Sequence, residues 1–260
     1  MARARKNLAA LLDAQGDYDA AEPLFRDALR IRRKLLGDEH ELIAEGLTNV
    51  GILLYRRGDL DGAEPLWREA LAMRRKLLGE AHPLVADSVS NLGALLRNKG
   101  DNAAAEQLYR EALAMRRKLL GNEHPWVAES LNNLGLVLRD RGDYSGAEAM
   151  WRETLAMRRK ILGDEHPEIA QTLRHLALVL LDKGDPDAAA SMIQEALAMQ
   201  RKLLGDDHME VAVSQTVLAQ VLLARGETGA AESMLREAMT SLHKALPATH
   251  WMIPHTDSLL

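Results

Sequence analysis

Residues 82–121 read HPLVADSVSNLGALLRNKGDNAAAEQLYREALAMRRKLLG, and this stretch decides the fold. It opens on His82-Pro83, and proline suits the first position of a helix, where its missing N–H is not needed. Val85, Val89, Leu92, Leu95 and Leu96 follow at three- and four-residue steps, which places them on one helical stripe. Lys99-Gly100 closes that helix, because glycine accepts the left-handed cap. Asp101 or Asn102 can cap a second helix, whose apolar side carries Ala105, Leu108, Tyr109, Ala112, Leu113 and Met115 and which stops at Gly121. The stretch is a helical hairpin.

That hairpin recurs with a period of 42 residues and no insertion or deletion. Glycine stands at Gly16, Gly58, Gly100, Gly142, Gly184 and Gly226, each followed by Asp or Glu, and histidine at His40, His82, His124, His166, His208 and His250. Asparagine occupies Asn7, Asn49, Asn91 and Asn133, with His175 and Val217 in the next two places. A strict period of this length marks a solenoid, in which each unit packs only on its neighbours. The reading is one all-α solenoid over 1–260 of about six helix-turn-helix repeats: 7–48, 49–90, 91–132, 133–174, 175–216 and 217–258.

Composition agrees. Of 260 residues 47% are apolar and only 3% aromatic, a mixture that favours helices over strands. The absence of cysteine excludes a disulfide framework, a Cys-ligated zinc site and a thiol nucleophile. A net charge of −5 argues against generic polyanion binding. No secretory signal and no membrane-spanning apolar run is visible, so a soluble protein of the cytoplasm is expected, with no membrane partner.

Within each unit a Leu-Gly-x-x-Leu (Leu92-Gly93 to Leu96, Leu134-Gly135 to Leu138) precedes Gly-Asp, and then alanine precedes an aromatic by four residues: Ala21/Phe25, Ala63/Trp67, Ala105/Tyr109, Ala147/Trp151. This set resembles the tetratricopeptide repeat, and the longer unit is similar to the kinesin light chain variety; the resemblance covers residues 7 to about 250. Ala190 in place of the usual Glu, Ile193 and Leu235 in place of the aromatic, and Pro247 in place of the closing Gly depart from it, which reads repeats five and six as capping or specialised units. Ala2–Lys6 align with the middle of a first helix, and Leu259 stands where a seventh Asn would be. Neither end offers a polar cap, so a piece of a longer protein is expected, with end-to-end self-association through uncapped faces as another use of those ends.

Catalytic signals are absent: no Walker loop, dinucleotide fingerprint, nucleophile elbow or H-E-x-x-H occurs, and no cofactor is expected. The phased histidines form a ladder and not a cluster, so they read as turn residues that hydrogen-bond the loop, not as metal ligands. The triplets Arg32-Arg33-Lys34, Arg74-Arg75-Lys76, Arg116-Arg117-Lys118 and Arg158-Arg159-Lys160 read as solvated helix ends balanced by nearby acids, and with few aromatics for base stacking no nucleic-acid partner is expected. Trp126 reads as a helix-start staple or a surface contact.

The resemblance implies a right-handed superhelix that works as a non-catalytic protein-interaction scaffold and holds a peptide or partner surface in a concave groove lined by the first helix of each repeat. On the matching positions Asn49, Asn91, Asn132 and Asn133 would contact a peptide backbone, since an amide offers donor and acceptor together. Tyr55, Arg56, Arg97, Asn98, Arg139 and Asp140 would tune side-chain preference. The competing role for the phased asparagines is to pin one unit to the next, a role that fits Asn132 less because only one unit carries it. A regulatory arm of a larger bacterial signalling enzyme, or a self-assembling module, are the alternative functions.

Overall fold

The structure is a computed structural model that describes residues 1–245; Pro247, His250, Leu259 and the end of the sixth repeat lie outside the described residues. Among the described residues there are twelve helices and no strand. They form two compact units. In Met1–Asn122, α1 (Ala2–Ala14) pairs with α2 (Tyr18–Leu36), α3 (Glu41–Arg56) with α4 (Leu60–Leu78), and α5 (Pro83–Asn98) with α6 (Asn102–Leu120). In Glu123–Leu260 the pairs are α7 (Pro125–Asp140) with α8 (Tyr144–Leu162), α9 (Pro167–Asp182) with α10 (Pro186–Leu204), and α11 (Met209–Ala224) with α12 (Thr228–Ala245).

The Gly-Asp dipeptide is the joint inside each hairpin. At Gly100, with φ +85°, the Gly100 N–H donates to the Arg97 carbonyl and the Asp101 N–H to the Leu96 carbonyl, both at 2.9 Å. This is the Schellman arrangement, and it needs a left-handed residue. Asp101 then accepts from the Ala104 N–H at 3.1 Å and starts the second helix. Asp17, Asp59, Asp143 and Asp185 repeat this cap. The phased histidines open the first helices: Nδ1 of His40, His82, His124, His166 and His208 accepts from the N–H two residues on, at 3.0–3.2 Å. Each is therefore an N-cap, which explains one per unit without any metal. The Trp126 ring rests on the capping His124, with centroids 5.3 Å apart, and stays 43% exposed.

Packing within a hairpin is set by a glycine facing an aromatic. Trp67, Tyr109 and Trp151 are buried, and each lies where a Cβ on Gly51, Gly93 or Gly135 would intrude. For Gly135 that Cβ would stand 2.7 Å from Cε2 and Nε1 of Trp151. In repeats five and six alanine takes the glycine place, at Ala177 and Ala219, and the smaller Ile193 and Leu235 take the aromatic place; all four are buried in one cluster. Their departure from the repeat pattern is a volume exchange within the core.

The basic triplets are not solvated throughout. Their first arginines, Arg32, Arg74, Arg116 and Arg158, are buried. Arg158 donates to the Glu168 carbonyl (2.8 Å) and the Thr172 hydroxyl (2.7 Å), and pairs with the Glu168 carboxylate (3.1 Å). Arg74 reaches Ser88 (2.8 Å) and Glu41 (3.2 Å), and Arg32 reaches the Leu42 carbonyl (2.7 Å) and Glu45 (3.0 Å). Each guanidinium thus ties the end of a second helix to the start of a first helix, with the fixed fork that arginine supplies and lysine lacks. The second arginines pair one hairpin on, as in Arg33–Glu69, Arg75–Glu111 and Arg159–Glu195. The i,i+4 pairs Glu22/Arg26, Glu64/Arg68, Glu106/Arg110, Glu148/Arg152 and Glu232/Arg236 all form on exposed faces, where each contributes about 0.3–0.5 kcal/mol.

Candidate protein-interaction face

The first helices place the phased asparagine and the residue seven positions on (Arg56, Asn98, Asp140) along one face, because that spacing is close to two helical turns, while Tyr55, Arg97 and Arg139, six positions on, flank it about a third of a turn round. Asn49, Asn91 and Asn133 are half-buried there, and among the described residues their side-chain amides have no hydrogen-bond partner. The pinning role does not describe them. Asn132 is the residue that pins: its Oδ1 lies 3.0 Å from Nδ1 of His175, whose ring rests on Trp151 with centroids 5.1 Å apart. Asn132 is buried, so its amide is spent inside the second unit.

Four of the residues expected to tune side-chain preference are paired with polar side chains of a neighbouring repeat, one residue out of the repeat register. Arg56 pairs with Asp13, Asn98 donates to the Tyr55 hydroxyl at 2.7 Å, and Arg139 pairs with Asp182. Each of these pairs spans 43 positions, as does Asn132 with His175. Arg97 is half-buried and Asp140 exposed. The Tyr55 ring stacks on Trp67 at 5.4 Å, and burial raises the Tyr55 phenol above its ordinary pKa, against the pull of Arg97 and Asn98. Earlier in the same helix burial pushes the Glu45 carboxyl up, but Lys6 and Arg32 outweigh it and hold it below its ordinary value. The face is thus a clipped ladder with charges mostly matched, and its uncommitted polar groups are the amides of Asn49, Asn91 and Asn133.

Among the described residues no group of three or more His, Cys, Asp or Glu is placed to hold a metal ion, and no helix is long and apolar enough to cross a membrane. The tetratricopeptide repeat family model matches residues 1–76, 42–118, 84–160, 126–202 and 168–242, five overlapping spans that step by the 42-residue unit. The chain belongs to the tetratricopeptide repeat family. Solved structures agree on the fold. BtubC (BKLC) of P. vanneervenii is 23% identical with a TM-score of 0.72, over 89% of this chain and 91% of that one. A putative kinesin light chain repeat protein of Podosopora anserina is 23% identical with a TM-score of 0.68, over 81% and 100%. PilW, a type IV pilus biogenesis factor, is 17% identical with a TM-score of 0.70, over 98% and 97%. No curated protein matches the sequence. Tetratricopeptide arrays are typical protein-interaction scaffolds and are generally non-catalytic.

The buried arginines and the one-residue offset of the ladder escaped sequence reasoning. A signal for the first was present: Ala105, Tyr109, Ala112 and Arg116 follow steps of four, three and four, so Arg116 falls on the buried stripe of its helix. The second was written in charge, since Asp13 and Arg56, or Arg139 and Asp182, are opposite in sign at successive repeats.

Proposed function

We propose that the chain is a non-catalytic scaffold that captures an extended peptide or partner segment on the face of its first helices, through the side-chain amides of Asn49 and Asn91 in the first unit, with Asn133 the equivalent group of the second unit. One observation carries this reading: these three amides are half-buried at a strict period and unpartnered among the described residues, whereas neighbouring polar side chains such as Tyr55, Arg56, Asn98, Asn132 and Arg139 are paired within the protein. A partly buried amide without a partner forgoes about 0.5–1.5 kcal/mol of net hydrogen bonding that a peptide backbone supplies. Because an amide donates and accepts, it reads backbone irrespective of sequence. Preference then comes from the ladder, with Tyr55, Arg56, Arg97 and Asn98 in the first unit and Arg139 and Asp140 in the second. The test is an array of extended peptides probed with the intact chain. The best binders are then titrated calorimetrically into the parent and into Asn49→Ala/Asn91→Ala. Loss of about tenfold in affinity with unchanged helicity is expected; equal affinity, or an array without binders, refutes the reading.

A second reading rests on Leu8 and Leu11, which are 49% and 56% exposed, whereas the residues at their register elsewhere, such as Leu92, Leu95, Leu134 and Val137, are buried. We infer that a second copy of the chain covers this apolar face. Light scattering across a concentration series decides it: mass rises with concentration and Leu8→Glu abolishes the rise, or mass stays constant and the reading fails.

A further inference from the structure

The fifth repeat breaks the arginine pattern. Where Arg32, Arg74, Arg116 and Arg158 stand in the first four repeats, Gln200 stands in the fifth. The arginines find acceptors at fixed offsets: the carbonyl ten residues on (Leu42 for Arg32, Glu168 for Arg158) and the hydroxyl fourteen residues on (Ser88 for Arg74, Thr172 for Arg158). At the same offsets from Gln200 lie Glu210 and Ser214. Glutamine is shorter than arginine, and beside Gln200 lies a cavity of about 240 Å³, lined by Pro167, Glu168, Gln171, Gln200, Leu204 and Glu210.

The acceptors remain and the donor is gone. Gln200 is 1% exposed and its Oε1 has no hydrogen-bond partner. The Ser214 hydroxyl and Gln215 Oε1, both buried in α11, are unpartnered too, although neither residue lines the cavity. Native interiors rarely leave such groups unmet, each costing about 1–3 kcal/mol. The two carboxylates on the wall each hold one cation through a single oxygen, Glu168 with Arg158 and Glu210 with Arg174, so each retains an oxygen for another donor. Pro167 and Leu204 add apolar walls suited to the weakly hydrated faces of a planar cation. The volume falls below the roughly 300–1,000 Å³ of sites for drug-sized molecules, and leaves room for one guanidinium group with water.

We propose that this cavity binds a single guanidinium group, carried by an arginine side chain of a partner or by a free guanidino compound. The guanidinium supplies from outside the donors that Arg158 and its counterparts supply from within. The site is formed by α9, α10 and α11 and does not depend on the asparagine face.

Agmatine, acetyl-Gly-Arg-Gly-amide and acetyl-Gly-Lys-Gly-amide, each titrated into the intact chain and followed through backbone amide shifts in α9–α11, test it. The guanidino probes saturate, and the lysine peptide binds about tenfold more weakly because an ammonium lacks the planar fork. Gln200→Arg, which places an internal guanidinium in the cavity, binds either guanidino probe at least about tenfold more weakly and raises the melting temperature. Binding of the arginine peptide assigns the source to a partner's side chain, and binding of agmatine alone assigns it to a small compound. Undiminished binding by Gln200→Arg, equal affinity for the lysine peptide, or no saturable response to either guanidino probe overturns the proposal. None of these results bears on Asn49 or Asn91.

Discussion

Replacing Gly135 by alanine sets two effects against each other at one known distance. In a helix interior alanine is favoured over glycine by about 1 kcal/mol. Here, however, the added Cβ would stand 2.7 Å from two atoms of the Trp151 ring, well inside van der Waals contact. Trp151 is 0% exposed, and a rigid indole enclosed on every side has nowhere to withdraw. Overpacking of this kind costs about 1–3 kcal/mol, and the upper half of that range applies, which leaves a net loss of about 1–2 kcal/mol. With a urea slope near 2 kcal/mol/M the midpoint falls by about 0.5–1 M. Trp151→Ile reproduces the pairing seen at Ala177 and Ile193 and removes the collision. In that background Gly135→Ala stabilises by up to about 1 kcal/mol, so the sign reverses. Urea unfolding by circular dichroism reads both backgrounds, with hydrogen exchange of the α7 and α8 amides as the local check, because arrays of repeats need not unfold in one step. A neutral or stabilising Gly135→Ala in the parent chain, or the same effect in both backgrounds, refutes the packing argument.

Other perturbations separate the remaining contributions. Arg158→Ala takes a donor from the Thr172 hydroxyl, which keeps its bond to the Glu168 carbonyl, and releases a half-exposed Glu168 carboxylate to water, so it lowers stability by about 1–2 kcal/mol in urea, and Arg158→Lys recovers little of it because an ammonium cannot span both acceptors. His124→Ala removes an N-cap and costs about 1 kcal/mol, whereas His124→Asn, which also caps, recovers most of it in a thermal melt. Lys183 and Arg152 hold the Glu148 carboxyl below its ordinary pKa, so the stability it contributes is complete above its unfolded-state value and is lost as pH falls through the lowered folded value. Urea midpoints measured down the acid limb therefore fall less steeply in Lys183→Met than in the parent.

The hairpin was legible because its signals are local. Gly100 and Asp101 announce a stop and a start, Pro83 a first turn, and the 42-residue period carries those signals to every unit. His82 and its counterparts were legible as structural turn residues; which N–H each one caps needed the backbone. The face was harder to read, because pairing across adjacent first helices depends on how far one helix slides along the next. Equivalent residues stand 42 apart, but Tyr55 meets Asn98 and Arg139 meets Asp182 at 43. That slip of one decides which polar groups are spent. It commits Asn132, which the sequence favoured as a ligand contact, to His175, and it leaves Asn133 uncommitted. The buried arginines were missed for another reason: a basic triplet at a helix end suggests solvent, and only the apolar stripe running through Arg116 argues otherwise.

The most direct test of the recognition face is nuclear magnetic resonance of the asparagine side-chain amides during titration with an array-selected peptide. The amide signals of Asn49 and Asn91 shift and saturate together, and that of Asn133 reports the same recognition in the second unit, whereas that of Asn132, engaged by His175, holds its position. A shift confined to Asn132, or a bound peptide that moves none of the three free amides, would contradict the account.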